Sequence, residues 1–582
     1  MNIEEKLNIS GTLSEADARR YKKRLEIMAM EQPEKALDAI ISDPTPAALV
    51  QSFPSQDLYF LVNDIGVEDA LPVLAVASST QWGFFVDMEA WDRDRVDSDA
   101  MTRWFDLLLK ADPKRCVNWM VSEETAFFEE YLSRHIEVRV REKDEDPSDF
   151  GPGWFTFDDW FYIKHREVAE EPVEDGAPYI HPDDRNTVVF SLLQTLSETD
   201  HQRFQSVLLE AMSLLSAEVE EESYRLRNAR LADAGFYPYE EALGVYTPLG
   251  AEEIRDGVVK QVPVGGASAV PGVHTDAVGE DDLFSQSLAE VDDGIAFASL
   301  QMEFAALCNR VIAADQKPVQ ERAQLKGVVS KVCGYVSLGL EVLDESERGP
   351  RPMGAWLSSC GLEEIFRVGY GKAMALKFAA ERWRRESWLL GGGHSLSLLG
   401  EAWMGVVGGL LLKRPLYFDN YQTGALYREF ATLEEIRHTH AIFEDVEGID
   451  KMLSLIDPDL SPFKGPALTI KSLLLTLWVP AWIGEEEGGK PVDVEQVRAL
   501  LGGIFSESEG GLRRISDEAK THFLGWLAEK SELDVSTLSE RLAGALERLF
   551  AELEDEYGPV APESLDPRFV HLFILTQAPG VA

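Results

Sequence analysis

FPSQDLYFLVNDIGVEDALPVL, from Phe53 to Leu74, holds two helix starts and one stop. Ser55 with Asp57 opens a helix, Gly66 ends it, and Glu68 with Asp69 opens the next. The same pattern runs outward in both directions. Ser14 with Asp17 three residues on is a capping-box-like start for a helix to about Met30. Pro33 and Pro46 stand where a first helical residue would, with Thr45 as an N-cap. Ser79 or Thr80 caps a helix through Trp82, Phe84 and Phe85. The starts near 33, 46, 56, 67 and 80 recur roughly every 10 to 13 residues. Helices this short do not hold alone, so they must stack on neighbours into a small superhelix.

The pattern changes at Ile136. Glu137 to Arg141 alternate like an exposed strand, and WFTFDDWFYIKH (Trp154 to His165) alternates on both sides of Asp158-Asp159 like a hairpin. A small antiparallel sheet is expected between about 136 and 166, flanked by acidic Gly- and Pro-rich loops at 141–153 and 169–185. Helix returns at Ser197, with Asp200 three residues on, and runs through Leu208, Met212, Leu215 and Val219. From 250 to 282 the chain loses periodicity and gains Gly, Pro, Ala and Val, which marks a linker. Beyond it, helices are expected near 284–314, 318–343, 361–388, 395–412, 466–478, 493–505, 516–530 and 536–557. Gly558 is placed where a left-handed stop belongs, and 484–512 reads as a pair of exposed loops. The expected class is mainly α: a short-helix repeat domain (1–135), a small sheet with charged helices (136–250), a linker (251–283) and a larger helical domain (284–582).

The chain has 582 residues, with 55 Lys and Arg against 102 Asp and Glu, for a net charge of −47. Such a surface repels duplex DNA and anionic lipid, which both need basic footprints, and favours cationic partners. The 13 Trp and 28 Phe supply large areas to bury, which argues against disorder. Cys116, Cys308, Cys333 and Cys360 form no CxxC pair and sit among apolar neighbours, so most read as small core residues. MNIEEKLNIS has no basic region followed by an apolar stretch, so no signal peptide is expected. These features point to the cytoplasm. Leu396–Leu412 is interrupted by Glu401 and sits at the short limit for a membrane span, so it reads as a core helix. Its glycines (Gly400, Gly405, Gly408, Gly409) suit close helix packing. Leu473–Ile483, which carries Pro480, also reads as core.

Four segments draw chemical interest. In EVEEESYRLRNARLADAGFYPYEEALGVY (Glu218 to Tyr246), Glu221 and Arg225 are four apart, and Arg227, Arg230 and Asp233 are three apart. Gly235 ends that helix before an aromatic turn, Phe236 to Tyr239. Arg227 and Arg230 can hold a phosphate or carboxylate between them, or pair with the chain's own acids. The candidate interaction or anion site is Tyr224, Arg225, Arg227, Arg230, Asp233, Tyr237 and Tyr239. In EEIRHTHAIFED (Glu434 to Asp445), His440 and Glu444 have helical metal-ligand spacing, but His438 points to a different face. An exposed polar helix is the plainer expectation. GGGHS (Gly391 to Ser395) lacks the Lys and Ser/Thr of a phosphate loop and reads as a helix–helix connection. Arg367, Lys372, Lys377, Arg382, Arg384 and Arg385 interleave with Phe378, Trp383 and Trp388, as a single-strand nucleic-acid surface would. Their helical spacing scatters the charges over more than one face, as for stems laid along apolar surface.

Two resemblances follow. Ala48–Asp87 resembles the helical domain at the N-terminus of bacterial magnesium transporters, without their membrane helices. RNARLADAGFYPYEEAL with the preceding EVEEESY, ALCNRVIAAD (306–315) and DPRFVHLF (566–573) resemble an uncharacterised family of bacterial proteins of unknown function over most of the chain. That family supplies no activity. The expectation is a non-catalytic cytoplasmic interaction or regulatory protein with a protein partner, no cofactor and no membrane insertion. The alternatives are a metal-dependent enzyme assembled around His438, His440 and Glu444, and a nucleic-acid-associated factor using 367–388.

Overall fold

Helix caps set most of the architecture of the computed structural model. It describes residues 15–576 except 31, 93, 168–179, 214–215, 233–234, 256–281, 292–293, 317–318, 347–351, 465–467, 486–488, 508–512 and 532. The protein is mainly α, with a few small antiparallel sheets of two or three strands. The expected cap at Ser14 and most of the expected linker fall outside the described residues. Two compact units form: one from Met1–Thr247, Glu252–Val336 and Glu347–Phe366, the other from Pro248–Ala251, Ser337–Ser346 and Arg367–Ala582.

In the first unit, helices Pro33–Ile41, Pro46–Gln51, Ser55–Ile65, Leu71–Val76 and Ser79–Glu89 follow one another closely. Each packs on the next but one: 33–41 on 55–65, 46–51 on 71–76, 55–65 on 79–89. Gly66 ends the third helix at φ 97°, and Ser78 closes a capping box with Gln81 at the start of the fifth. Trp82, Phe85, Trp104, Phe105 and Phe128 fill the space between these helices. Gln56 and Asn309 exchange two buried amide hydrogen bonds, 2.7 and 2.9 Å, tying this stack to helix Gly294–Asp315. Gly235 sits so close to that helix that a Cβ would lie 2.7 Å from Ala306 Cα. The sheet has Phe161–His165 in the centre, with Ile136–Val140 and Phe155–Thr156 beside it, all antiparallel.

Helix Leu433–Ile456 is the hub of the second unit. It packs against Glu401–Leu411, Ile470–Ile483, Asp517–Ser531 and Val535–Tyr557. Thr432 and Glu435 form the capping box that starts it. Helix Ile470–Ile483 is buried nearly all round, which explains its continuous apolar run. Among the described residues no helix is long and apolar enough to cross a membrane.

Several expectations give way. The segment around His438 is polar and exposed on one face only: Glu434, Arg437, His438, His440 and Glu444 face solvent, while Ile436, Thr439, Phe443, Val446 and Ile449 are buried. The helix expected from Ser197 starts at Asp200, whose carboxylate caps Arg203 N–H at 3.0 Å; Pro182–Thr199, read partly as loop, is a separate helix. Gly558 is not left-handed but has φ −56°; an added Cβ would lie 3.0 Å from Arg513 O. The 284–314 segment is two helices, Leu283–Ala289 and Gly294–Asp315. Phe505–Glu507 and Arg513–Ile515 pair as a hairpin where exposed loop was expected.

Candidate functional site

The glycines of helix Glu401–Leu411 admit a hairpin rather than a helix. An added Cβ on Gly405 would collide with the Phe418 ring at 2.4 Å, and one on Gly409 with Leu416 O at 2.6 Å. Strands Tyr417–Phe418 and Tyr427–Arg428 lie in that space, paired Tyr417 to Arg428 and Phe418 to Tyr427. Tyr427 Oη donates to Gly405 O at 3.0 Å.

A single carboxylate organises the loop between the strands. Asp419 is 1% exposed. It accepts hydrogen bonds from Thr423 N (2.7 Å), Thr423 Oγ1 (3.0 Å) and Arg428 Nε (2.8 Å). The Thr423 amide, aided by Arg428, holds its carboxyl below the usual range despite burial. Arg428 reaches on to Glu435 at 2.6 Å, so the loop is fixed to the cap of the hub helix. Asn420 (φ 49°) and Tyr421 (φ 62°) are both left-handed. For Asn that is tolerable, but for Tyr it is a true outlier, costing of order 1–2 kcal/mol. The pinned loop presents the Tyr421 ring at 65% exposure.

Beneath the loop lies a cavity of about 140 Å³. Val406, Phe418 and Ile442 supply apolar lining, while Asn420, Gln422 and His438 bring polar groups. The side chains of these last three make no hydrogen bond to any described residue. All three are exposed, so they stand at the mouth of the apolar hollow.

The site expected in the first unit is arranged otherwise. Arg230 grips Asp87 with Nε (2.8 Å) and Nη2 (2.7 Å), and its Nη1 lies 3.4 Å from Glu124. Arg227 Nε donates to Asp87 O at 2.7 Å, and its guanidinium lies over the Trp91 ring at 5.4 Å. Tyr224 packs on the same ring at 5.8 Å. Arg225 turns outward to Glu222 at 2.8 Å. Tyr237 meets Arg310 at 5.0 Å, and Tyr239 begins the short helix Tyr239–Ala242. Asp233 lies outside the described residues. Thus Tyr224, Arg227 and Arg230 come together, and Arg225, Tyr237 and Tyr239 do not join them. Burial raises the Asp87 carboxyl, opposed by Arg230 and Arg227. Burial pushes Glu124 up to about 7, with Arg230 opposing and Asp87 adding to the rise. The bidentate bond to Asp87 raises Arg230.

One arrangement escaped sequence reasoning. Ser98 Oγ lies 2.9 Å from His135 Nε2, while His135 Nδ1 is 2.6 Å from Tyr131 O. Burial holds the imidazole neutral down to about 4, so Nδ1–H donates to the carbonyl and Nε2 accepts from Ser98. This is the spacing of a nucleophile and its base. However, the nearest amides that might stabilise an oxyanion, Asp99 N and Ala100 N, are already taken by Asp97 at 3.0 Å each. The pair links two helices.

The basic island is also drawn inward in part. Trp383 is buried and donates to Asp450 Oδ2 at 3.2 Å; Trp388 Nε1 donates to Asp457 at 2.9 Å. Asp450 further accepts Ser387 Oγ, Trp388 N and Leu389 N within 3.2 Å. Lys377 donates to Leu412 O at 2.6 Å. Phe378, Arg382, Arg384 and Arg385 remain exposed. His440 Nδ1 stands 3.7 Å from Glu444, with Arg548 Nη2 also 3.7 Å from that carboxylate. Among the described residues no three His, Cys, Asp or Glu gather as metal ligands would. GGGHS turns through Gly393 (φ 73°), with the His394 ring 5.4 Å from Trp388.

No curated protein and no solved structure matches the chain. A family model does, over residues 14–576, and the chain belongs to the family of unknown function DUF6178.

Proposed function

We propose that this chain is a non-catalytic interaction protein that meets a protein partner through the 416–428 hairpin and the cavity beneath it. The observation that carries this reading is the contrast within one loop. Its backbone is held by Asp419, Arg428 and Glu435 at the expense of two left-handed residues, yet Asn420, Gln422 and His438 beside it stay exposed, with no side-chain hydrogen bond to a described residue. Strain maintained by surrounding bonds is found where function needs a fixed geometry. The exposed Tyr421 ring supplies large contact area at low entropy cost. Four buried cysteines, none of them in a disulfide among the described residues, support a reducing, cytoplasmic setting.

A photo-crosslinking amino acid at position 421, compared with one at exposed Val535, tests the proposal in cells. Adducts with one protein in near-equal amount at 421, absent at 535, are expected. The same adduct pattern at both positions would overturn it.

A further inference from the structure

We infer that the cavity of the second unit takes one aromatic side chain from a basic segment of a partner protein; this rests on the binding reading above and names its ligand class. Size decides first. At about 140 Å³ the hollow is well under the roughly 300–1,000 Å³ of sites for drug-sized ligands. It matches the roughly 150 Å³ cavity known to hold a benzene-sized group. One ring from a longer chain fits where a whole cofactor does not.

The lining chemistry agrees. Phe418, Val406 and Ile442 line an apolar surface, which suits an inserted aromatic group, while Tyr417 carries the Arg428 guanidinium over its ring at 4.6 Å, a charge that Asp419 and Glu435 neutralise. Around the hollow, the exposed amides of Asn420 and Gln422 offer donors and acceptors to a peptide backbone crossing the rim.

Charge then selects what flanks the ring. Glu434 lies one turn before the lining residue His438 on the hub helix, so it shares that side of the helix. Glu401 directly precedes the lining residue Ala402. Both glutamates are exposed, and neither is ion-paired among the described residues. In a chain of net charge −47, a rim of free carboxylates favours lysine or arginine on the incoming segment and repels acidic ones. A central ring in a pocket with complementary charges at the edge is the usual division of labour in a protein interface.

The test uses the full chain and three dye-labelled peptides: one with a phenylalanine between lysine pairs, its alanine counterpart, and a phenylalanine between glutamate pairs. Ala402→Trp fills the cavity mouth from an exposed position, so the fold is spared, and Glu434→Lys reverses the rim charge. Dissociation constants are read by anisotropy at low and moderate salt. The basic phenylalanine peptide is expected to bind at least about tenfold more tightly than the other two. Ala402→Trp should weaken it by about tenfold, and Glu434→Lys by a few-fold with a shallower salt dependence. Equal affinity for the phenylalanine and alanine peptides, indifference to Ala402→Trp, tighter binding of the acidic peptide, or no binding of any peptide would each overturn the inference. Partner-specific adducts at position 421 would survive those results, so failure of the ligand class is distinguishable from failure of the binding reading.

Discussion

Each unit carries a hairpin whose tip hangs on one buried aspartate, and the two tips spend their polar groups differently. In the first unit Asp158 accepts Trp160 N (3.0 Å), Phe161 N (2.9 Å) and Gln205 Nε2 (3.0 Å). Burial pushes its carboxyl up, and these hydrogen bonds outweigh that and hold it low. Asp159 is left-handed (φ 58°) and Trp160 is 52% exposed, much as Tyr421 is in the second unit. Here, though, the surrounding polar groups are used up. Asp159 takes Arg141 at 2.9 Å and Tyr162 Oη at 2.5 Å, and Thr156 Oγ1 takes Asp159 N at 2.9 Å. At the second tip Asn420 and Gln422, with His438 of the hub helix beside them, stay exposed without a side-chain hydrogen bond to a described residue. The same device closes a sheet in one place and in the other holds a loop whose polar side chains stay exposed.

The Asp87 cluster sharpens the contrast, because there too the first unit turns its polar groups inward. Asp87→Ala removes both carboxylate bonds to Arg230, which keeps only Glu124, while Arg227 keeps its bond to the position-87 carbonyl. The expected loss is about 1–2 kcal/mol of stability in denaturant titrations, with adducts at position 421 unchanged. A loss under about 0.5 kcal/mol would show that the cluster is not internal support.

Glu124 gives the pH signature. Its folded-state value, about 7, lies above its ordinary value, so its contribution is complete below about 4.5 and is lost as pH rises through 7. Glu124→Gln fixes the neutral form. The variant should match the wild type near pH 4.5 and exceed it above pH 7.5, by at most about 3 kcal/mol. The difference between the two proteins must be measured, because His135 runs the other way. Its value is depressed to about 4, so its contribution is present above about 6.5 and is lost as pH falls. A Glu124→Gln difference that is flat with pH would place the carboxylate in water.

The smallest effect on stability belongs to the strained loop. Asn420→Gly and Tyr421→Gly relieve left-handed backbone, so thermal melts should show no loss and a gain of up to about 1 kcal/mol. Tyr421→Gly should nevertheless weaken partner binding. A destabilised Tyr421→Gly protein with full binding would reverse the comparison.

Local signals carried the helices and the sheet. Ser55, Gly66 and Pro33 act within a turn of themselves, and alternation through Trp154–His165 is visible without partners. Long-range pairing was hidden. Arg230 is readable as a cation in search of an acid, but Asp87 lies 143 residues away, marked only as a carboxylate in the aromatic run WGFFVDME. The second-unit site was less legible still. Its strands are two residues long, too short for alternation to register, and the neighbouring glycines fit helix packing equally well. His438 was singled out for metal chemistry, and the structure puts it on a cavity wall instead.

Under the proposed binding reading, Asp419 holds a recognition surface whereas Asp158 holds only the sheet. Affinity of the full chain for the basic phenylalanine peptide, measured for Asp419→Ala and Asp158→Ala side by side, tests it most directly. Asp419→Ala should weaken binding by at least about tenfold and Asp158→Ala by less than about twofold. Equal losses, or a larger loss from Asp158→Ala, would contradict it.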